Sequence, residues 1–357
     1  MSITTNDVAT YLRLLEQLIA IPSFSTEESD TADTLEAFLE KAGHHVSRTH
    51  NNVIARYTHF DENRPNMLLC SHHDTVRPNL GYTRDPFHAE VQGDKLYGLG
   101  SNDAGGPLIA LLAAFDILSG EELPFNLIFI AAAEEEITGA KGVASVLDQL
   151  KNVHFGIIGE PTGLKVATAE KGLLVIDAVT KGVAGHAAHH QDIHSIHVAA
   201  EEIRKLAAFQ FEKATSRLGS TKATVSQIHA GKQHNQVPAE CTYVIDVRVN
   251  ECYTNEEVFR ILQDLLTESH LNARSFRLQS SSIPLEHPMV MLVRDLGFVT
   301  YGSPTLSDQA VMPFPTIKFG PGLSERSHSA DEFIYISEIE EGIKTYISLL
   351  TQYNPSS

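Results

Sequence analysis

FNLIFI (125–130) runs directly into AAAEEEITGAKG (131–142). The first six residues form an apolar run of strand length, interrupted only by Asn126 and bounded on the far side by a polar stretch. That stretch leads into GAKGVASVLDQL (139–150), whose spacing predicts a helix. An apolar strand followed by a helix is the repeating unit of an α/β fold. Between the two stand Glu134, Glu135 and Glu136, carboxylates set against the end of a core strand. Charge crowded there is costly unless a cation shares the space.

The alternation continues outward. Helical periodicity covers roughly 6–20 and 27–42, and STEE predicts a capping box from Ser25 to Glu28 at the start of the second helix. Strands are expected in NNVIARYTH (51–59), PNMLLC (65–70) and HFGIIG (154–159), with a helix through GGPLIALLAAFDIL (105–118). An α/β sheet covered by helices on both faces follows, with ligand groups at the C-terminal strand ends.

The texture changes near residue 170. LLVIDAVTKGV (173–183), KATVSQIHAG (222–231) and TYVIDVRVN (242–250) alternate like strands with one solvated face. Two amphipathic helices, 194–214 and 256–269, lie among them, the second opening with a capping box from Thr254 to Glu257. NARSFRLQSS (272–281) is the expected last strand of a β-α-β-β-α-β, ferredoxin-like order. The expected organisation is therefore a discontinuous α/β domain, 1–169 and 283–357, interrupted by an α+β domain over 170–282.

Composition narrows the partners. Twenty-seven Lys and Arg against 45 Asp and Glu give a net charge of −18, which argues against nucleic acid and anionic membranes. Three cysteines make no paired framework, which fits a reducing cytoplasm, and the N-terminal stretch has the polar residues of an amphipathic helix rather than those of a signal peptide.

Four further segments echo the glutamate run. LLCSHHDTVRP (68–78) carries His72 and Asp74, GLGSNDAGG (98–106) carries Asp103, IIGEPTG (157–163) carries Glu160, and GPGLSERSHSADEF (320–333) carries His328. Taken singly, each has an ordinary structural reading. His72 suits a core position, Asp103 a helix N-cap, Glu160 a loop beside Pro161, and the glutamates a solvated turn. Together they offer imidazole and carboxylate donors without thiolates, a set that suits zinc, cobalt or manganese. Two metals sharing a bridging carboxylate fit the same donors. GLGSNDAGG lacks the third glycine of a dinucleotide fingerprint, and GLSER breaks the serine-hydrolase elbow.

The succession SHHDTV, GLGSNDAGG, AEEE, GEPT and GPG…SH resembles the M20 metallopeptidase family, in particular its N-acyl-amino-acid deacylases, from about residue 10 to the C-terminus. The resemblance implies a di-zinc, or di-cobalt, mixed-sheet catalytic domain interrupted by a lid and dimerisation domain. It implies His72, Asp103 and Glu160 on one metal, and Asp103, Glu136 and His328 on the other, with Asp103 bridging. Asp74 would orient His72, and Glu135 would be the general acid/base. The family pattern begins with Asp where this chain has Glu134.

In the insert, GVAGHAAH (182–189) resembles the family's G-x-x-x-H segment and implies His186 as an oxyanion donor reaching across a dimer. The chain then departs from the usual Ser and Pro-Gly-Asn-Ala continuation, leaving His189, His190 and His194 as competitors. AGKQHNQVP and VIDVRVN imply Asn235 and Arg248 as substrate contacts. A turn residue and a surface cation are their alternatives. The implied reaction is release of the acyl group from a small N-acyl amino acid, N-acetylornithine first, by a cytoplasmic homodimer of arginine biosynthesis. N-succinylornithine, N-acetylcitrulline, a dipeptide, and a metal-binding relative without activity are the other readings.

Overall fold

The computed structural model describes residues 5–355, which divide into two compact units. The first runs to Thr168 and resumes over Ile283–Tyr301 and from Ser307 onward; the second holds Ala169–Ser282 and Gly302–Leu306. No change of texture in the sequence marks that short return at 302–306. Among the described residues, no helix is long and apolar enough to cross a membrane.

The first unit is built on a mixed sheet. Its strands are β1 (His45–Thr49), β2 (Asn52–Arg56), β3 (Asn66–His72), β4 (Asn126–Ala132), β5 (Val153–Ile158) and β6 (Val166–Glu170), joined by Thr316–Lys318. The order is β1-β2-β4-β3-β5, then Thr316–Lys318, then β6. β4, β3, β5 and Thr316–Lys318 are parallel, and β1, β2 and β6 are antiparallel to their neighbours. β3 and β4 are buried along their whole length, which is why their sequences are continuous apolar runs rather than alternations. On one face lie the helices α1 (Thr5–Ile19), α2 (Ser29–Lys41), α3 (Gly106–Leu118) and the C-terminal helix Ile336–Gln352, closing the main core. α3 is apolar on nearly all sides because it sits inside that core.

Two expected features of this unit are corrected. GAKGVASVLDQL is no α-helix: it folds as short 3₁₀ turns, Val143–Ser145 and Leu147–Gln149, with Val143 and Val146 against the other face of the sheet. Gly139 and Gly142 weaken a helix, Gly142 is extended, and the Lys141 amide donates to the Glu134 carboxylate (3.0 Å) rather than along a helix. The predicted Ser25 to Glu28 capping box is also absent. α2 starts at Ser29, and the Ser25 hydroxyl donates to Asp74 Oδ2 at 2.7 Å. A local cap lost to a long-range partner.

In the second unit, β7 (Gly172–Lys181), β8 (Lys222–Ala230), β9 (Glu240–Val249) and β10 (Ser269–Ala273) form an antiparallel sheet of order β8-β9-β7-β10. With α4 (Ser195–Ala208) and α5 (Asn255–Leu265), this is the β-α-β-β-α-β succession. Alternate residues of β7 and β9 are buried, matching their sequence alternation. The Thr254 to Glu257 capping box is present in both directions. The last strand ends at Ala273, well before the expected 281. Arg274 Nε and Nη2 pair with Asp177, and Phe276 packs against the core, so the chain leaves the ladder there.

Candidate metal centre

The parallel strands of the first unit end in a row of polar side chains. His72 closes β3, Glu134–Glu136 follow β4, and Glu160 follows β5. Because the three strands are parallel neighbours, their C-terminal ends lie together. Asp103 comes from the turn before α3, and His328 from the loop before strand Phe333–Tyr335.

The donors gather around His72 and Asp103. His72 Nε2 lies 3.2 Å from its Oδ1, and His328 Nε2 lies 3.6 Å from its Oδ2. His328 Nε2 is also 3.0 Å from Glu136 Oε2. His72 Nε2 stands 3.9 Å from Glu135 Oε2 and 4.0 Å from Glu160 Oε1. One ligand atom each from His72, Asp103 and Glu136 lie within 4.8 Å of one another, as do one each from His72, Glu135 and Glu160. Such a donor set can hold a divalent metal. His72 is buried, and His328 is half exposed at the rim.

Asp74 is fully buried behind His72. Its backbone oxygen, 2.9 Å from His72 Nδ1, is nearer to the ring than its carboxylate Oδ1, at 3.5 Å. That hydrogen bond makes Nδ1 a donor and turns Nε2 toward the carboxylates, where a cation would replace the proton it shares with Asp103. The Asp74 carboxylate accepts the amides of Glu135 (3.1 Å) and Glu136 (3.2 Å) and the Ser25 hydroxyl. One residue thus fixes the imidazole through its backbone oxygen and, through its carboxylate, the turn that carries two of the glutamates. Burial opposes its charge, but the hydrogen bond and charge of His72, with Ser25, hold its carboxyl below the usual value.

The three glutamates have different surroundings. Glu134 sits at φ 53° and turns its carboxylate back onto the loop, accepting the Lys141 amide. A Cβ on Gly139 would lie 1.9 Å from that carboxylate, so only glycine fits there. Glu135 and Glu136 point into the donor cluster. The neighbouring His73 is kept out of it: Nε2 bonds to Asn51 O and Nδ1 to the Thr31 hydroxyl, each at 2.9 Å, and burial pushes it down to about 4.

Two residues of this site escaped sequence reasoning. Ser25 had a local reading as a helix cap. Glu332 is buried, and its carboxylate accepts the amides of Gly100, Asn102 and Asp103. The only sequence signal for it is an acidic pair, Asp331 and Glu332, just after His328.

In the second unit, His186 and Asn235 come together. Gly185–His186 pairs with Gln236–Val237, and the Ala187 amide donates to Asn235 O at 2.9 Å. Arg248 lies toward the opposite end of β9 from Glu240, the end near which His186 and Asn235 sit, with its Nε and Nη2 on Asp246 at 2.9 and 3.1 Å. The remaining histidines pack mainly among themselves. His190 bonds to Val183 O, and the rings of His194 and His197 stack at 4.0 Å.

Crowding shows in the acid–base behaviour of the metal-free centre. Burial, then the charges of its neighbours, push Glu160 up to about 8 against the pull of His72. Glu135 is raised well above the ordinary range for the same reasons. The Glu136 hydrogen bond raises His328 to about 9. Both Glu160 and His328 bind protons more tightly folded than unfolded, so the stability these two groups contribute is full at low pH and is lost as pH rises through those values. The metal-free protein should therefore melt at a lower temperature at pH 9 than at pH 6. Calorimetry after exhaustive chelation checks this, and an unchanged or higher midpoint at pH 9 would contradict the geometry. A bound cation should flatten the dependence by replacing those protons.

A family model described as Peptidase family M20/M25/M40 matches residues 68–352. An acetylornithine deacetylase of Proteus mirabilis is 27% identical over 367 aligned residues, 93% of each chain. The fold matches that of an M20 family metallo-carboxypeptidase from Sulfolobus solfataricus with a TM-score of 0.76, 19% identity, and 97% of this chain and 99% of that one covered. A dinuclear metal binding peptidase of the M20 family from Bacillus subtilis gives 0.72 at 17% identity, covering 98% of both. With most of its length matched by the family model, this chain belongs to peptidase family M20/M25/M40.

Proposed function

We propose that this hydrolase removes the acyl group from an N-acyl amino acid, converting N-acetylornithine and water to ornithine and acetate. The observation that carries the chemistry is the Asp103 carboxylate, which turns one oxygen to His72 and the other to His328. On this reading Asp103 is the residue that two donor sets would share. His72, Asp103 and Glu160 would hold one divalent ion, and Asp103, Glu136 and His328 the second. Imidazole and carboxylate donors suit zinc, with cobalt a working substitute. Bound there, the ions supply Lewis acidity and an acidified water.

The rest of the reaction falls to the protein. Glu135 accepts the proton of the attacking water at its carboxylate and delivers it to the leaving amine as the C–N bond breaks. Without a cation, burial and then the charges of its neighbours favour its protonated carboxyl. His186, presented by the partner protomer of a homodimer, would donate to the carbonyl oxygen, with Asn235 beside it. Arg248, steadied by Asp246, would hold the substrate's α-carboxylate. The chain would work in the cytoplasm, in arginine biosynthesis.

The substrate choice is supported by similarity to a deacetylase along nearly the whole chain. The fold match to a metallo-carboxypeptidase favours peptide cleavage as the second reading. The test is kcat/KM on N-acetylornithine, N-succinylornithine, N-acetylcitrulline and an unblocked dipeptide, using metal-loaded protein and scoring free amine. N-acetylornithine should lead by at least about tenfold, the discrimination one good pocket contact provides. A dipeptide preferred over every N-acyl amino acid would replace the deacylase reading with the peptidase one.

A further inference from the structure

Glu332 is the last residue of the loop that carries His328 and Asp331, yet its side chain belongs to another part of the site. Its Oε1 accepts the amides of Asn102 (2.8 Å) and Asp103 (2.9 Å), and its Oε2 accepts that of Gly100 (3.1 Å). Three amides of one short turn thus close on a single buried carboxylate. From that turn projects Asp103, whose side chain faces both histidines.

Glu332 is itself held from several directions. The Gly98 amide donates to its backbone oxygen at 3.0 Å, and the next residues pair with the strand Lys95–Tyr97. The carboxylate of Asp331, just before it, accepts the amides of Thr83 and Arg84, each at 2.9 Å. A second link runs in parallel. Asn102 accepts the Leu323 amide on Oδ1 and donates to Leu323 O through Nδ2, each at 3.0 Å. The Asp103 turn and the His328 loop are therefore joined twice, once through Glu332 and once through Asn102.

We infer that Glu332 is a positioning residue, which sets the Asp103 turn against the His328 loop so that one carboxylate can serve both cation positions. A ligand shared between two ions must hold both oxygens in place at once, so small rotations of its backbone cost more than they would at a single-ion ligand. Supporting contacts of this kind typically change metal affinity or activity about 10–100-fold. The inference rests on the two-cation reading of the site.

Glu332→Ala and Glu332→Gln test it. Glu332→Gln keeps one acceptor oxygen for the Asn102 and Asp103 amides but turns an N–H₂ toward the Gly100 amide. Binding of Zn²⁺ and Co²⁺ to metal-free protein would be followed by competition with a chromophoric chelator, and folding by circular dichroism at the same temperature. Both variants should bind the ions roughly 10–100-fold more weakly than the natural chain. Glu332→Gln should lie between Glu332→Ala and the natural chain, and the Co²⁺ absorption spectrum of both should change. At saturating metal, kcat should fall by more than KM rises. A merely structural role would lower the melting temperature and leave the affinities, the spectrum and kcat of the folded fraction unchanged; that result overturns the inference. If Glu332→Ala does not fold, Glu332→Gln decides alone by the same readouts. Failure of the natural chain to bind two ions would instead sink the two-cation reading.

Discussion

Replacing Glu135 with glutamine is expected to lower kcat by roughly 10²–10⁴, the contribution of a positioned general acid/base. Metal content should stay close to that of the natural chain. Glutamine keeps the size of the side chain and an oxygen toward the cluster but cannot carry a proton. The backbone amide of residue 135 still donates to Asp74, so the turn is retained. The same substitution should raise stability in the metal-free state at pH 8. Burial, and then the charges of Glu160, Asp308 and Glu136, disfavour ionised Glu135 more than His72 favours it, and the amide removes that conflict. Less activity with more apo stability marks a group placed for chemistry rather than for folding. Near-natural turnover in Glu135→Gln would reassign the proton transfer.

The second large effect is expected at Asp103. Asp103→Ala should remove activity to the background of the assay and lower the affinity for both ions, because both histidine-bearing sides of the cluster lose a partner at once. Glu160→Gln, by contrast, removes a donor from one set only and should weaken one of the two ions. Metal analysis after dialysis against a weak chelator separates the two outcomes. Wild-type metal content and turnover in Asp103→Ala would dismiss the shared-ligand arrangement. Exhaustive chelation of the natural chain should reproduce the loss of activity, and added zinc or cobalt should reverse it.

Where sequence reading succeeded, the physics was local. β3 and β4 were legible because strands buried on both faces are continuously apolar. The capping box at α5 was legible because all its partners lie within one turn. The charged and imidazole residues at the strand ends could be named because so much polarity beside apolar runs needs a reason. A local signal failed where a distant partner outbid it, as Ser25 bonds to Asp74 rather than capping α2; the 139–150 segment failed locally, through its glycines and the Lys141 amide turned onto Glu134.

By itself the sequence determined that this chain alternates strands and helices, changes to alternating strands near residue 170, and sets His72, Asp103, the pair Glu135 and Glu136, Glu160 and His328 in five separate segments. Only the tertiary structure decided that Asp103 turns one oxygen to each histidine, that Asp74 holds the 135–136 turn, and that Glu332 gathers three amides beneath Asp103. The reason is the range of the interactions. Periodicity and capping act over a few neighbouring residues, whereas these hydrogen bonds join residues separated by 31 to 232 positions and exist only once the sheet has brought its strand ends together.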